Sequence, residues 1–167
     1  MAVFFCPKSS ATIVKVELPM KEKISGDLVV YTDGGSRGNP GPAALGVVIC
    51  DKKGNLIKSY GETLGVKTNN EAEYSAVIFA LKKIKALAGG KAAAEMRIEV
   101  RADSELLVKQ LNHEYKIESE SVIPLFIKVW NATLDFKEVR FIHIPREKNR
   151  EADRMVNRAL DGEAKLF

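Results

Sequence analysis

The sequence predicts an α/β fold, a mixed sheet with helices on its faces. Three observations carry that prediction. The first half reads as strand segments joined by tight turns, which makes those strands antiparallel. The second half alternates strand and helix patterns, so its strands are joined through helices and run parallel. Apolar residues are 46% of the chain and charged residues 29%, enough for one core and a wetted surface. A chain of 167 residues suits a single domain.

Residues 1–26 stand apart. Here "TIVKVELP" alternates apolar and charged residues until Pro19, as a half-exposed strand does. This stretch is read as a short appendage, either an added edge strand or a loose tail. The domain proper is expected over residues 27–162, with a C-terminal tail at 163–167. "DLVVYTD" (27–33) is a buried strand. "AALGVVICD" (43–51) and "NLIKSYGETLG" (55–65) are the next two, hinged at "DKKGN". "TNNEAEYSAVIFALKKIKAL" (68–87) is a helix. Ala76, Val77, Ala80, Leu81, Ile84 and Leu87 recur at three-and-four spacing, and the asparagines sit where a cap belongs. "GGKAAAE" is a connector. "MRIEVRAD" (96–103) is a strand, "SELLVKQLN" (104–112) a short helix and "PLFIKVWNATLD" (124–135) another. "EVRFIHIP" (138–145) is the last strand and "NREADRMVNRALD" (149–161) the last helix. The predicted order is βββ-α-β-α-α-β-α.

The formal charge of +4 and a pI near 9.0 lean mildly toward a polyanionic partner. Cys6 and Cys50 form no CxxC pair and fit a reducing, cytoplasmic setting. No stretch approaches the roughly 18 apolar residues of a membrane span. The start "MAVFFCPKSS" lacks the basic flank and apolar length of a secretory leader.

Four acids stand out by position. Asp33 ends the first predicted strand and Asp103 the fourth, where α/β sheets bind ligands. Glu73 and Asp153 fall in the predicted first turns of the first and last helices. Each has a plain structural explanation. First-turn acids gain roughly 0.3–1 kcal/mol from the helix dipole. Asp before Gly-Gly is turn chemistry, and Asp before Ser can cap a helix. As a set they point elsewhere. Four converging carboxylates repel unless a cation neutralises them. Hard oxygen ligands select Mg²⁺, with Mn²⁺ able to substitute. Two such ions can bind the attacking and leaving oxygens of a phosphoryl displacement.

The segments "YTDGGSRGNPGPAALGVVI", "TNNEAEYSAVIFAL", "RADSELLVKQL" and "IPREKNREADRMVNRAL" closely resemble a type 1 ribonuclease H, in order and spacing, over about residues 28–160. The resemblance implies the ribonuclease H fold: five strands in a mixed sheet, the second antiparallel, flanked by helices. It implies an endonuclease that cuts the RNA strand of RNA–DNA hybrids with two Mg²⁺ ions, leaving 3′-hydroxyl and 5′-phosphate ends. The family's acidic quartet maps onto Asp33, Glu73, Asp103 and Asp153 as catalytic metal ligands. Its hybrid contacts map onto Gly34, Gly35, Asn39, Asn69 and Asn70. The 2′-hydroxyl that marks RNA lies in a shallow groove, which bare backbone and short side chains can reach. A monomer acting on a hybrid, away from membranes, is the expected form.

The sequence also departs from the family. Many members carry a histidine in the loop before the last acid. Here that loop is "PREKNR", so Arg146, Glu147 or Lys148 is expected to take over part of its role. His143 reads as a strand residue and His113 as part of a linker. The basic, tryptophan-bearing protrusion of some members is replaced by "NHEYKIESESVIPLF", short and acidic. Hybrid binding would then rest on scattered cations such as Arg37, Lys67, Lys109, Lys116, Arg146, Lys148 and Arg150, and be salt-sensitive. Two other readings compete: a catalytically silent hybrid-binding module, and a related fold serving DNA transposition or exonuclease work.

Overall fold

The computed structural model of the chain describes residues 23–164. The strand-or-tail reading of the N-terminal appendage falls largely on residues outside that range. Five strands form one sheet: β1 (Leu28–Ser36), β2 (Gly41–Asp51), β3 (Leu56–Lys67), β4 (Arg97–Ala102) and β5 (Glu138–His143). Their spatial order is β3-β2-β1-β4-β5. β1–β2 and β2–β3 are antiparallel, whereas β1–β4 and β4–β5 are parallel. The helices are α1 (Asn69–Ala88), α2 (Gly90–Ala93), α3 (Glu105–Leu111), α4 (Ile123–Thr133) and α5 (Arg150–Ala164). The predicted mixed five-stranded sheet is what forms.

β2 shows why "AALGVVIC" reads as continuous apolar sequence. It is buried on both faces. Leu45, Val47 and Ile49 join the main core with α1, α3 and α4. Ala44, Val48 and Cys50 face the other way, toward Val156, Leu160 and Ala152 of α5. Ile24 is buried in the main core, three residues before the predicted start of the domain.

Four local expectations shift. β1 does not stop at Asp33. Its pairing with β2 continues to Ser36↔Ala43, while its pairing with β4 ends at Thr32↔Ala102. The cap of α1 is Thr68, not an asparagine. The Thr68 hydroxyl accepts from Glu71 N–H, and the Glu71 carboxylate accepts from Thr68 N–H, a reciprocal capping box. Glu71 is therefore the first-turn acid, and Glu73 lies deeper in the helix, where the dipole explanation no longer applies. The "GGKAAAE" connector contains the single-turn α2.

Candidate active site

Two acids meet because of strand register. Thr32 and Ala102 are the last parallel pair of β1 and β4. Asp33 and Asp103 follow them directly, so both carboxylates emerge at the same end of the sheet. Glu73 joins from α1. A Cβ on Gly34 would lie 2.2 Å from the Ala72 carbonyl carbon and 2.3 Å from the Glu73 nitrogen. The bare strand lets α1 rest directly on it, and that contact delivers Glu73. One carboxylate oxygen each from Asp33, Glu73 and Asp103 lies within 4.8 Å of the others.

α5 approaches in the same way. A Cβ on Gly46 would stand 2.1 Å from the Ala152 carbonyl oxygen, and one on Gly61 2.5 Å from that of Met155. Seated on these glycines, α5 places Asp153 in the cavity of about 460 Å³ that the other three acids line. Asp153 stays outside the close triad. Its Oδ1 is 3.7 Å from the Arg146 guanidinium, and its Oδ2 accepts from Asn157 Nδ2 at 3.3 Å.

The electrostatics follow from crowding. Burial first, then the neighbouring Asp103, Asp153 and Glu73 charges, push the Asp33 carboxyl up to about 8. Burial and Asp103 raise Glu73 to about 7, against a hydrogen bond from Ser104. Asp103 is also raised by burial, but Arg146 and a hydrogen bond from Asn149 hold it back. Without a counter-cation, this site holds protons near neutral pH. Carboxylate oxygens packed this closely fit a hard divalent cation.

The remaining predicted residues divide. Gly34, Gly35 and Asn69 line the acidic cavity. Asn69 Oδ1 accepts from both Ser36 N–H and Ser36 Oγ. Asn39 Oδ1 accepts from Asn69 N–H at 3.1 Å, so Asn39 straps the loop to α1 instead of lining the cavity. Asn70 also lies outside the lining, with its Oδ1 buried and unpartnered among the described residues. In the 3₁₀ turn Arg146–Lys148, only Arg146 reaches the acids. Glu147 and Lys148 line a separate hollow beside Tyr31 and Cys50. His143 is the last residue of β5. Its Nε2 lies 3.3 Å from the Asp103 carbonyl oxygen.

Three contributors were not singled out from the sequence. Asn149, 1% exposed, donates from Nδ2 to the Thr32 carbonyl oxygen and steadies Asp103. Its place just before the last helix was the available signal. Gly46 and Gly61 form the seat of α5, and no local pattern marks them. Among the described residues no helix stands between α3 and α4, where the protrusion of some members would be.

Residues 31–159 match the family model described as "Reverse transcriptase-like". Ribonuclease HI of Halobacterium salinarum is 37% identical over 139 residues, covering 81% of this chain and 65% of that protein. Bifunctional protein Rv2228c of Mycobacterium tuberculosis is 34% identical over 139 residues, 82% of this chain and 36% of that protein. The chain thus spans less than two thirds of the length of these relatives. Among solved structures, LC11-RNase H1 in complex with RNA/DNA hybrid is 43% identical with a TM-score of 0.78, covering 82% of this chain and 99% of that one. Register-paired acids, an α/β sheet of matching topology and these similarities lead to one statement: the chain belongs to the type 1 ribonuclease H family.

Proposed function

We propose that this protein is an endonuclease that hydrolyses the RNA strand of RNA–DNA hybrids, leaving 3′-hydroxyl and 5′-phosphate ends. The observation that carries the reading is the triad Asp33, Glu73 and Asp103, with oxygens within 4.8 Å, lining an acidic cavity. The similarity to a hybrid-bound ribonuclease H1 supports the substrate class.

Asp33, Glu73, Asp103 and Asp153 would hold two Mg²⁺ ions, with Mn²⁺ able to substitute. Bound there, such ions supply an activated water and offset charge on the departing oxygen. The chain's own part is positioning. Asp33 is paired with Gly46 of β2 and directly follows the last β1–β4 pair, so its carboxylate is preorganised. Asp33 and Glu73 release protons when a cation enters, which couples loading to pH. Arg146 places positive charge beside Asp103 and Asp153, in the loop that holds a histidine in many members. Gly34, Gly35 and Asn69 present bare backbone and a short amide at the cavity, suited to reading a 2′-hydroxyl in a shallow groove. Asn39 and Asn70 would serve from the second row. A reducing, cytoplasmic setting belongs to the same proposal, since the two cysteines form no CxxC pair.

The test uses a labelled RNA–DNA hybrid beside duplex DNA and duplex RNA. Cutting of the RNA strand with Mg²⁺ or Mn²⁺, and none with EDTA, is expected. Binding without cutting would instead make the chain a silent hybrid-binding module. Strong cutting of duplex DNA would falsify the hybrid preference.

A further inference from the structure

Among the described residues, two cationic side chains line the acidic cavity: Arg146, beside Asp153, and Arg37, paired with Asp161. Arg37 lies in the turn between β1 and β2. Its backbone is held firmly. Arg37 N–H donates to the Pro42 carbonyl oxygen at 2.8 Å, and the preceding Ser36 is tied to Asn69. Its guanidinium pairs with the Asp161 carboxylate of α5. Asp161 lies eight residues beyond Asp153, about 12 Å further along the helix at about 1.5 Å per residue. The pair is well exposed, with side chains 46% and 60% accessible. An ion pair that open contributes about 0–1 kcal/mol to folding, so stability does not explain it.

We infer that Arg37 takes a backbone phosphate of the RNA strand, and that Asp161 occupies the guanidinium until that phosphate displaces it. This rests on the hybrid-cleaving reading above. A carboxylate and a phosphate present the same paired oxygens to the planar fork of an arginine. Metal ions held by the four acids would offset their charge, and the two arginines of the lining add attraction for the strand's phosphates. Arg37 is anchored to receive a phosphate beside Asp161, about 12 Å along α5 from Asp153. Asp161 lowers the affinity of that subsite, because the ion pair must open before the phosphate binds.

The experiment measures binding of a short fluorescein-labelled hybrid by anisotropy across a salt series. It uses Asp103→Asn as the uncut background. Arg37→Ala is expected to weaken binding about tenfold. It should also flatten the slope of log affinity against log salt by about 0.7–0.9, the loss of one phosphate contact. Asp161→Asn is expected to tighten binding about twofold to fivefold, the release of one surface ion pair. That gain should disappear when Arg37→Ala is also present. In the cleaving protein, the Arg37→Ala loss should fall on KM and be partly restored by Arg37→Lys. An unchanged salt slope in Arg37→Ala overturns the phosphate contact. A gain from Asp161→Asn that survives without Arg37 overturns the competition and leaves only general repulsion. Cleavage of the hybrid by the unsubstituted protein runs alongside. If that fails, the function reading falls; if it succeeds and the salt slope stays fixed, this inference falls alone.

Discussion

Gly34 and Glu73 are packed backbone to backbone: a Cβ on Gly34 would lie 2.3 Å from the Glu73 nitrogen. The glycine after the first acid is therefore bare chiefly for α1. It brings a second carboxylate to the site, while Gly34 and Gly35 both still line the cavity.

Gly34→Ala should push α1 off β1. The expected cost is about 1–3 kcal/mol of stability, as for overpacking elsewhere, together with loss of cleavage as Glu73 moves. Urea denaturation and a hybrid-cleavage assay read the two effects. Gly90→Ala, where a Cβ meets nothing within 4 Å, should change neither by a measurable margin.

Stability of the metal-free protein should fall as pH rises. Asp33 and Glu73 hold protons in the folded state up to about 8 and about 7, while the unfolded chain releases them near 4. The folded state binds the extra protons, so this contribution is complete below about pH 4 and lost as pH climbs through 7 to 8. Melting temperatures in EDTA should decline across that window. Mg²⁺ should restore them at the alkaline end, and Asp33→Asn should flatten the decline.

Asp103→Asn should abolish cutting, by at least about 100-fold, the scale of losing one preorganised electrostatic group. Hybrid binding should largely survive. Single-turnover cleavage and anisotropy on one preparation separate the two, and full retained activity would sink the metal-ligand assignment.

Arg146→Ala removes the cation that holds Asp103 down and stands 3.7 Å from Asp153. The alkaline shift of Asp103 should move the rising limb of the pH–rate profile upward, with partial rescue by Arg146→Lys. Lys148→Ala should leave that limb in place, because Lys148 lines the hollow beside Cys50.

Gln110→Ala should destabilise without touching the pH profile. Gln110 is buried, accepts from the Tyr74 hydroxyl at 3.0 Å and donates to the Lys116 carbonyl oxygen at 3.2 Å. Truncation strands both groups, a cost of about 1–3 kcal/mol, readable in urea.

Element types were legible in the sequence because they depend on local period. The alternation in "MRIEVRAD" and the three-and-four spacing from Ala76 to Leu87 are properties of short windows. The ends of elements were less so. β1 runs past Asp33 because β2 continues to pair with it, and a window around Asp33 does not contain β2. The cap of α1 was written in "TNNE", where Thr68 and Glu71 form the box, but the neighbouring asparagines compete for the same role.

By itself the sequence determined the strand order and, apart from the single-turn α2, the helix order, together with the family and the four acids worth watching, since each sits at a recognisable position in a short motif. Only the tertiary structure decided which of them touch. Asp33 and Asp103 meet through the Thr32↔Ala102 register. Glu73 and Asp153 arrive on helices seated on Gly34, Gly46 and Gly61. Arg146 is selected over Glu147 and Lys148 by the direction of one 3₁₀ turn, and Arg37 finds Asp161 across 124 residues of chain. The physical reason is one of range. Hydrophobic period and capping act over a few residues, whereas a site is made by backbones from distant segments coming within van der Waals contact.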